Sequence, residues 1–213
     1  MQLLFKVFLS LHIATAGTAL LAGLVSMVSA KGKPVHRLTG KIFFWGMVGV
    51  FISSLYMSLA KYNWFLLCIG FFSFYLTCSG YIALKSKIEQ QAANVRLLHT
   101  LICLGGLLSG VSMLGIAIML FWSGSMFGTV PAVFGLISIA LSVRDHGVMN
   151  GKVNLKQVWL RSHAFRMAAA FAATLTAFVV VNIQIEQQWI LWLVPAFVVI
   201  PITKRMLLKY NVN

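Results

Sequence analysis

Histidines are the side chains of this sequence best suited to chemistry. Five are present. His36, His99 and His163 stand at or just before the starts of long apolar segments, whereas His12 lies inside the first such segment and His146 in a polar stretch. Neutral imidazoles from facing helices are usual axial ligands of a b-type haem. The pattern therefore predicts a haem b site built from two of the first three histidines, and a role in electron transfer.

Other interpretations of the same histidines stay open. Imidazoles at helix ends can simply hydrogen-bond to loops and lipid heads. Three histidines and a water also suit a catalytic Zn²⁺ ion, as in a membrane hydrolase, although neither HxxxH nor HExxH spacing occurs. His12 is a separate candidate, because its position near the other side of the membrane keeps it from sharing a cofactor with the remaining three.

Two arginines accompany these histidines. Arg37 follows His36 directly, and Arg166 follows His163 by three residues, which places both on one face of a helix. A cation about one turn inside an apolar helix must snorkel, line an aqueous cavity or meet an anion. In the haem hypothesis we expect Arg37 and Arg166, together with Arg96 just before the fourth span, to pair with the propionates. As an alternative, Arg166 binds the anionic group of a small or lipid-like ligand in a permease or binding protein.

Acidic residues are scarce. Glu89, Asp145 and Glu186 are the only three, and each falls between the apolar segments. We therefore expect no carboxylate within the membrane. Proton-coupled and cation-coupled transporters usually place Asp or Glu there. This pattern argues against such transport, and against a carboxylate-rich metal site.

The elements that must position these residues are membrane-spanning helices. Of the 213 residues, 60% are hydrophobic and 9% are charged, a composition typical of membrane proteins. A spanning helix needs roughly 20 apolar residues. We expect one all-α domain over residues 1–213, a polytopic bundle with spans at about 7–30, 42–60, 64–84, 97–122, 126–143, 163–183 and 189–207. The division between the fourth and fifth spans stays open, since Gly124 and Gly128 also suit one broken helix.

Basic residues predict the orientation. Of the 17 lysines and arginines, only Lys6 and Lys61 fall on one side of the predicted membrane. Because basic loops are retained in the cytoplasm, we expect the N-terminus outside and the C-terminus inside. Cleavage of a signal peptide after Ala30 would place every basic loop on the outer side of the membrane. We therefore treat the first span as a retained helix. The net charge of +14 favours contact with anionic lipid heads. Nucleic acid is an unsuitable partner, because the charges are dispersed over short loops.

Four apolar motifs carry a family resemblance. The segments LHIATAGTALLAG, HRLTGKIFFWGM, SHAFRMAAAFAATLTAFVVVN and WLVPAFVVIP, in this order, resemble an uncharacterised bacterial membrane group, domain-of-unknown-function family 2306. The resemblance implies a multi-pass protein of the bacterial inner membrane and supplies no activity. Its pattern positions here are His12, His36, Gly40, His163, Arg166 and Met167.

This resemblance also narrows the haem hypothesis. His99 is outside the family pattern, which favours His36 and His163 as the pair of metal ligands. The chain is loosely similar to diheme b-type cytochromes as well, but only His12 lies in the outer layer. We therefore expect at most one haem, on the cytoplasmic side.

Overall fold

Seven α-helices form the structure, a computed structural model that describes residues 2–89, 93–149 and 158–209. Each helix is long and apolar enough to cross a membrane, so the expected seven-span, all-α bundle is confirmed. The helices are α1 (Gln2–Val28), α2 (Pro34–Ala60), α3 (Trp64–Glu89), α4 (Ala93–Trp122), α5 (Thr129–Met149), α6 (Val158–Asn182) and α7 (Gln188–Lys209).

Several helices extend beyond the apolar segments that predicted them. α2 begins at Pro34, two turns before the predicted start, because proline is well suited to the first helical position. His36 and Arg37 therefore lie in the first turn of the helix. α5 continues to Met149 instead of ending near residue 143. The fourth and fifth spans are separate helices, divided by a turn in which Gly124 adopts a φ of +76°.

Four helices form a closed ring. α1 packs along α2, α2 against α3, α3 against α6, and α6 returns to α1 over a short stretch. α2 and α6 are therefore diagonal partners across this unit. α7 packs on the outside of α6, α4 packs on α3, and α5 packs almost entirely on α4.

Close approaches between helices depend on small residues, as is usual in lipid. A Cβ atom on Gly110 would lie 2.9 Å from the carbonyl oxygen of Gly135, and one on Gly135 would lie 2.8 Å from that of Gly110. Ser138 Oγ donates to the Gly106 carbonyl at 2.6 Å. These contacts hold α4 and α5 together as a tight pair.

Aromatic side chains fill the middle of the four-helix ring. Phe43 of α2 and Phe171 of α6 are both buried and meet at Gly23 of α1, where an added Cβ would lie 3.0 and 2.5 Å from their rings. Nearby, Thr174 Oγ1 donates to Met47 Sδ at 3.2 Å. α2 and α6 therefore touch deep in the bundle.

One end of the bundle gathers most of the positive charge. At this end α1, α3, α5 and α7 finish and α2, α4 and α6 begin. We call it the basic end, defined by the exposed side chains of Lys33, Arg37, Lys41, Arg144, Lys204 and Arg205. His36, His99 and His163 all lie towards this end, whereas Lys6 and Lys61 lie at the opposite one.

Candidate functional site

His163 is held by the backbone of the neighbouring helix. Its Nδ1 atom lies 2.8 Å from the carbonyl oxygen of Gly80 on α3. A carbonyl only accepts, so in a neutral ring Nδ1 carries the proton and Nε2 carries the lone pair. α3 and α6 also approach each other closely at Gly80, since a Cβ there would lie 2.9 Å from Cβ of Arg166. The absence of a side chain at Gly80 thus permits the hydrogen bond.

His36 is held in the same way. Its Nδ1 atom lies 3.1 Å from the carbonyl oxygen of Ser26 on α1, and 3.1 Å from Ser26 Oγ. When Nδ1 donates to this carbonyl, the proton is on Nδ1 and the lone pair is on Nε2. A backbone carbonyl on Nδ1 is the arrangement that usually orients a metal-ligating histidine.

The structure brings His36 and His163 to the same region. They lie on the diagonal helices α2 and α6, and both are near the basic end. Phe43 and Phe171 follow them by seven and eight residues, which is about 10 to 12 Å deeper at 1.5 Å per residue. The two imidazoles therefore lie above an apolar floor.

Arg166 is buried in an ion pair within the protein. Its Nε donates to Oδ2 of Asp145 at 3.1 Å and its Nη2 to Oδ1 at 2.5 Å. The hydroxyl of Tyr75, on α3, donates to the same Oδ2 at 2.7 Å. Bonds between charged groups in this two-pronged geometry are strong and directional. Arg166 therefore neither snorkels nor requires the anion of a ligand, and the reason for a permease site there is removed.

Asp145 corrects the expectation from the sequence. It lies in α5 with 5% of its surface exposed. The prediction that Asp145 lies in a loop between helices is therefore wrong. Its burial is tolerated because Arg166 supplies the opposite charge and three hydrogen bonds reach its oxygens. Glu186 does lie between helices, as predicted, while Glu89 is the last residue of α3.

His99 belongs to the surroundings of this ion pair. It is buried on α4, with Nδ1 3.5 Å from Cys103 Sγ, and it interacts electrostatically with Asp145 and Arg166. Within the three described ranges, no three His, Cys, Asp or Glu side chains come close enough to share a metal ion. The structure thus does not assemble the three-histidine zinc site.

The remaining candidates are separate. His12 lies on α1 with Nδ1 3.0 Å from Ser53 Oγ on α2, and Ser53 Oγ itself donates to the Gly49 carbonyl at 2.7 Å. His12 is therefore the donor in a contact between helices. Arg37 is exposed beside His36. The polar stretch that contains His146 was predicted to be a loop; this is wrong at His146, because α5 extends past it.

Comparison with known proteins supports the family resemblance over part of the chain. Residues 9–97 match the model of a family described as "Predicted membrane protein (DUF2306)". The matched segment covers most of α1, all of α2 and α3 and the start of α4, with His12, His36 and Gly40, and ends before His163 and Arg166. The resemblance read from the sequence is confirmed for this segment. No curated protein and no solved structure matches the chain.

Proposed function

We propose that this multi-pass membrane protein binds one b-type haem near its basic end, through His36 and His163, and takes part in electron transfer. The observation that carries the proposal is the pair of hydrogen bonds from Nδ1 to the backbone carbonyls of Ser26 and Gly80. Each bond leaves Nε2 as the nitrogen that can take iron. When bound, the haem would supply a centre that accepts and releases one electron.

The four-helix ring suits this role. α2 and α6 contribute the two imidazoles from diagonal positions, while α1 and α3 contribute the carbonyls that orient them. Cofactor sites in helical bundles are commonly built this way, from side chains on facing helices. Phe43 and Phe171 provide an apolar floor, which favours a porphyrin ring over water.

Arg37 is the cation best placed for the haem propionates. It is exposed at the basic end, next to His36 in the chain. Arg166, which was also expected there, is paired with Asp145. We therefore assign the propionates to Arg37 and leave Arg166 to the protein interior.

We place the basic end in the cytoplasm of a bacterial cell, with the chain in the inner membrane and the N-terminus outside. Exposed lysines and arginines at one end of the bundle support this orientation, and they suit contact with anionic lipid heads. A reporter that is active only in the cytoplasm should be active when it is fused to the C-terminus. Activity of a periplasm-dependent reporter at that position would reverse the assignment.

Substitution of the individual histidines tests the ligand pair. His36→Ala and His163→Ala should each lose the low-spin signal of iron with two imidazole ligands, in protein produced with excess haem. His12→Ala serves as the control and should retain it, because this ring lies towards the opposite end of the bundle and is not in contact with the pair. Retention of the full low-spin signal in His36→Ala or His163→Ala contradicts the proposal.

A further inference from the structure

The orientation of α6 about its own axis determines where His163 points, so specific contacts must fix it. Three of the seven buried residues of α6 are alanines, Ala168, Ala170 and Ala172, and its large apolar side chain, Phe171, packs against Gly23 two turns beyond His163. Alanines allow helices to approach closely, but their ridges are shallow and interlock weakly, so they add little to orientation near His163. Rotation of α6 would turn His163 away from α2. Polar contacts near its first turns are therefore the natural means of fixing its orientation.

Arg166 provides such a contact. It lies three residues after His163, on the same face of α6. Its planar guanidinium meets the Asp145 carboxylate with two bonds, which restrict orientation more than a single bond does. Nη2 also lies 3.4 Å from the Leu141 carbonyl oxygen, also on α5. The ion pair therefore connects α6 to α5, although the two helices pack little against each other.

Tyr75 connects the same carboxylate to α3. Its hydroxyl donates to Oδ2 of Asp145, and α3 also carries Gly80, the hydrogen-bond acceptor of His163. α6 is thus fixed to α3 at two points, directly through His163 and indirectly through Arg166 and Asp145. The side chains of Arg166 and Asp145 are 6% and 7% exposed, so water competes little for these bonds.

We propose that Asp145 and Tyr75 are positioning residues for His163, acting through Arg166 to set the rotation of α6 and thereby to aim the imidazole. The inference rests on the proposed haem site. In this proposal the buried ion pair supports the iron-binding histidine one helical turn away. The ion pair itself binds no small molecule.

Asp145→Asn is the principal test, with haem affinity and the spin state of ferric iron as the measurements. It keeps the size of the side chain and removes the charge that holds Arg166. We expect about a tenfold to hundredfold loss of haem affinity, the usual effect of removing a group that orients a metal ligand, together with a mixture of spin states. Tyr75→Phe should shift both measurements in the same direction by less. Asp145→Glu, which restores the charge, should recover part of the low-spin signal.

Ser138→Ala is the matched control. Ser138 lies on α5 two turns before Asp145, and its substitution removes a buried hydrogen bond to Gly106 without touching Arg166. It should lower thermal stability while leaving haem affinity and spin state as in the unmodified protein. The proposal is overturned if Asp145→Asn binds haem like the unmodified protein, or if Ser138→Ala loses haem as strongly.

A second measurement separates this proposal from the haem proposal. If the unmodified protein lacks a b-type spectrum, the haem site is wrong, and positioning is then read from the ring nitrogens of His163. In protein labelled with ¹⁵N-histidine, the His163 resonance is identified by its loss in His163→Gln. Asp145→Asn should shift or broaden it and Ser138→Ala should not. An unchanged His163 resonance in Asp145→Asn overturns the positioning role.

Discussion

Replacing Arg166 by methionine leaves the buried carboxylate of Asp145 without its countercharge. Arg166 supplies two of the three hydrogen bonds that Asp145 accepts from side chains. Both side chains are almost inaccessible, at 6% and 7% exposure. Removing one partner of such a pair costs about 3 to 5 kcal/mol. Since about 1.4 kcal/mol corresponds to a factor of ten, the folding equilibrium should fall by roughly a hundredfold or more.

Removing both charges should cost less than removing one. Asp145→Leu combined with Arg166→Met leaves no buried charge, and apolar replacement of a whole ion pair is often close to neutral. The hydroxyl of Tyr75 then lacks its acceptor, at a cost of about 1 to 3 kcal/mol. Adding Tyr75→Phe should recover part of that loss. The triple variant should therefore be more stable than Arg166→Met or Asp145→Asn alone.

Free energies of unfolding decide this prediction. They can be measured for all variants in one bilayer mimic by denaturing-detergent titration, with tryptophan fluorescence as the signal. Asp145→Asn should lose about as much as Arg166→Met. Two outcomes contradict the reasoning: single variants within about 1 kcal/mol of the unmodified protein, or combined variants that fall by the sum of the single losses.

Three further substitutions test the packing of α4 and the loop between α1 and α2. Gly106→Ala should lower the free energy of unfolding by about 1 to 3 kcal/mol, because the methyl group would lie 2.5 Å from Ser142 Oγ and 2.8 Å from the ring of Tyr75. Its neighbour Gly105 has nothing within 4 Å, so Gly105→Ala should be neutral or stabilising by up to about 1 kcal/mol; equal losses in thermal unfolding would refute this. Burial lowers the pKa of the Lys31 ammonium, between α1 and α2, below its ordinary 10.5. The unfolded chain therefore binds more protons between the two values, and stability should rise with pH in that window. Lys31→Met should lose this rise when melting temperatures are compared across alkaline pH, and a variant that keeps the same slope would contradict the assignment.

Hydropathy was sufficient for the number and order of the helices, but not for their ends. An apolar run indicates the part of a helix that suits the membrane. The α-helix itself continues as long as its backbone hydrogen bonds can form, including through polar residues. Pro34 to Lys41 form the first two turns of α2 although this stretch is basic and polar. Arg144 to Met149 extend α5 in the same way. Both extensions carry residues of the candidate site into helices.

The site was predictable in part. Arg166 stood out because a cation inside an apolar helix needs a partner, and the chain offers only three acidic residues. The helical position and burial of Asp145 were not predicted. A charged run beside an apolar segment resembles a loop, and the sequence does not show which residues of that run face the neighbouring helices. The placement of His36 and His163 on diagonal helices depends on the ring of α1, α2, α3 and α6. Hydropathy cannot order helices within a bundle, so this placement was not predictable from the sequence.

Haem binding is tested most directly by an absorption difference spectrum, reduced minus oxidised, of the purified protein after production with excess haem. The proposal predicts a b-type α band with one haem per chain. That band should be lost in the double variant His36→Ala, His163→Ala and kept in His12→Ala. A correctly inserted protein without the α band would contradict the proposal.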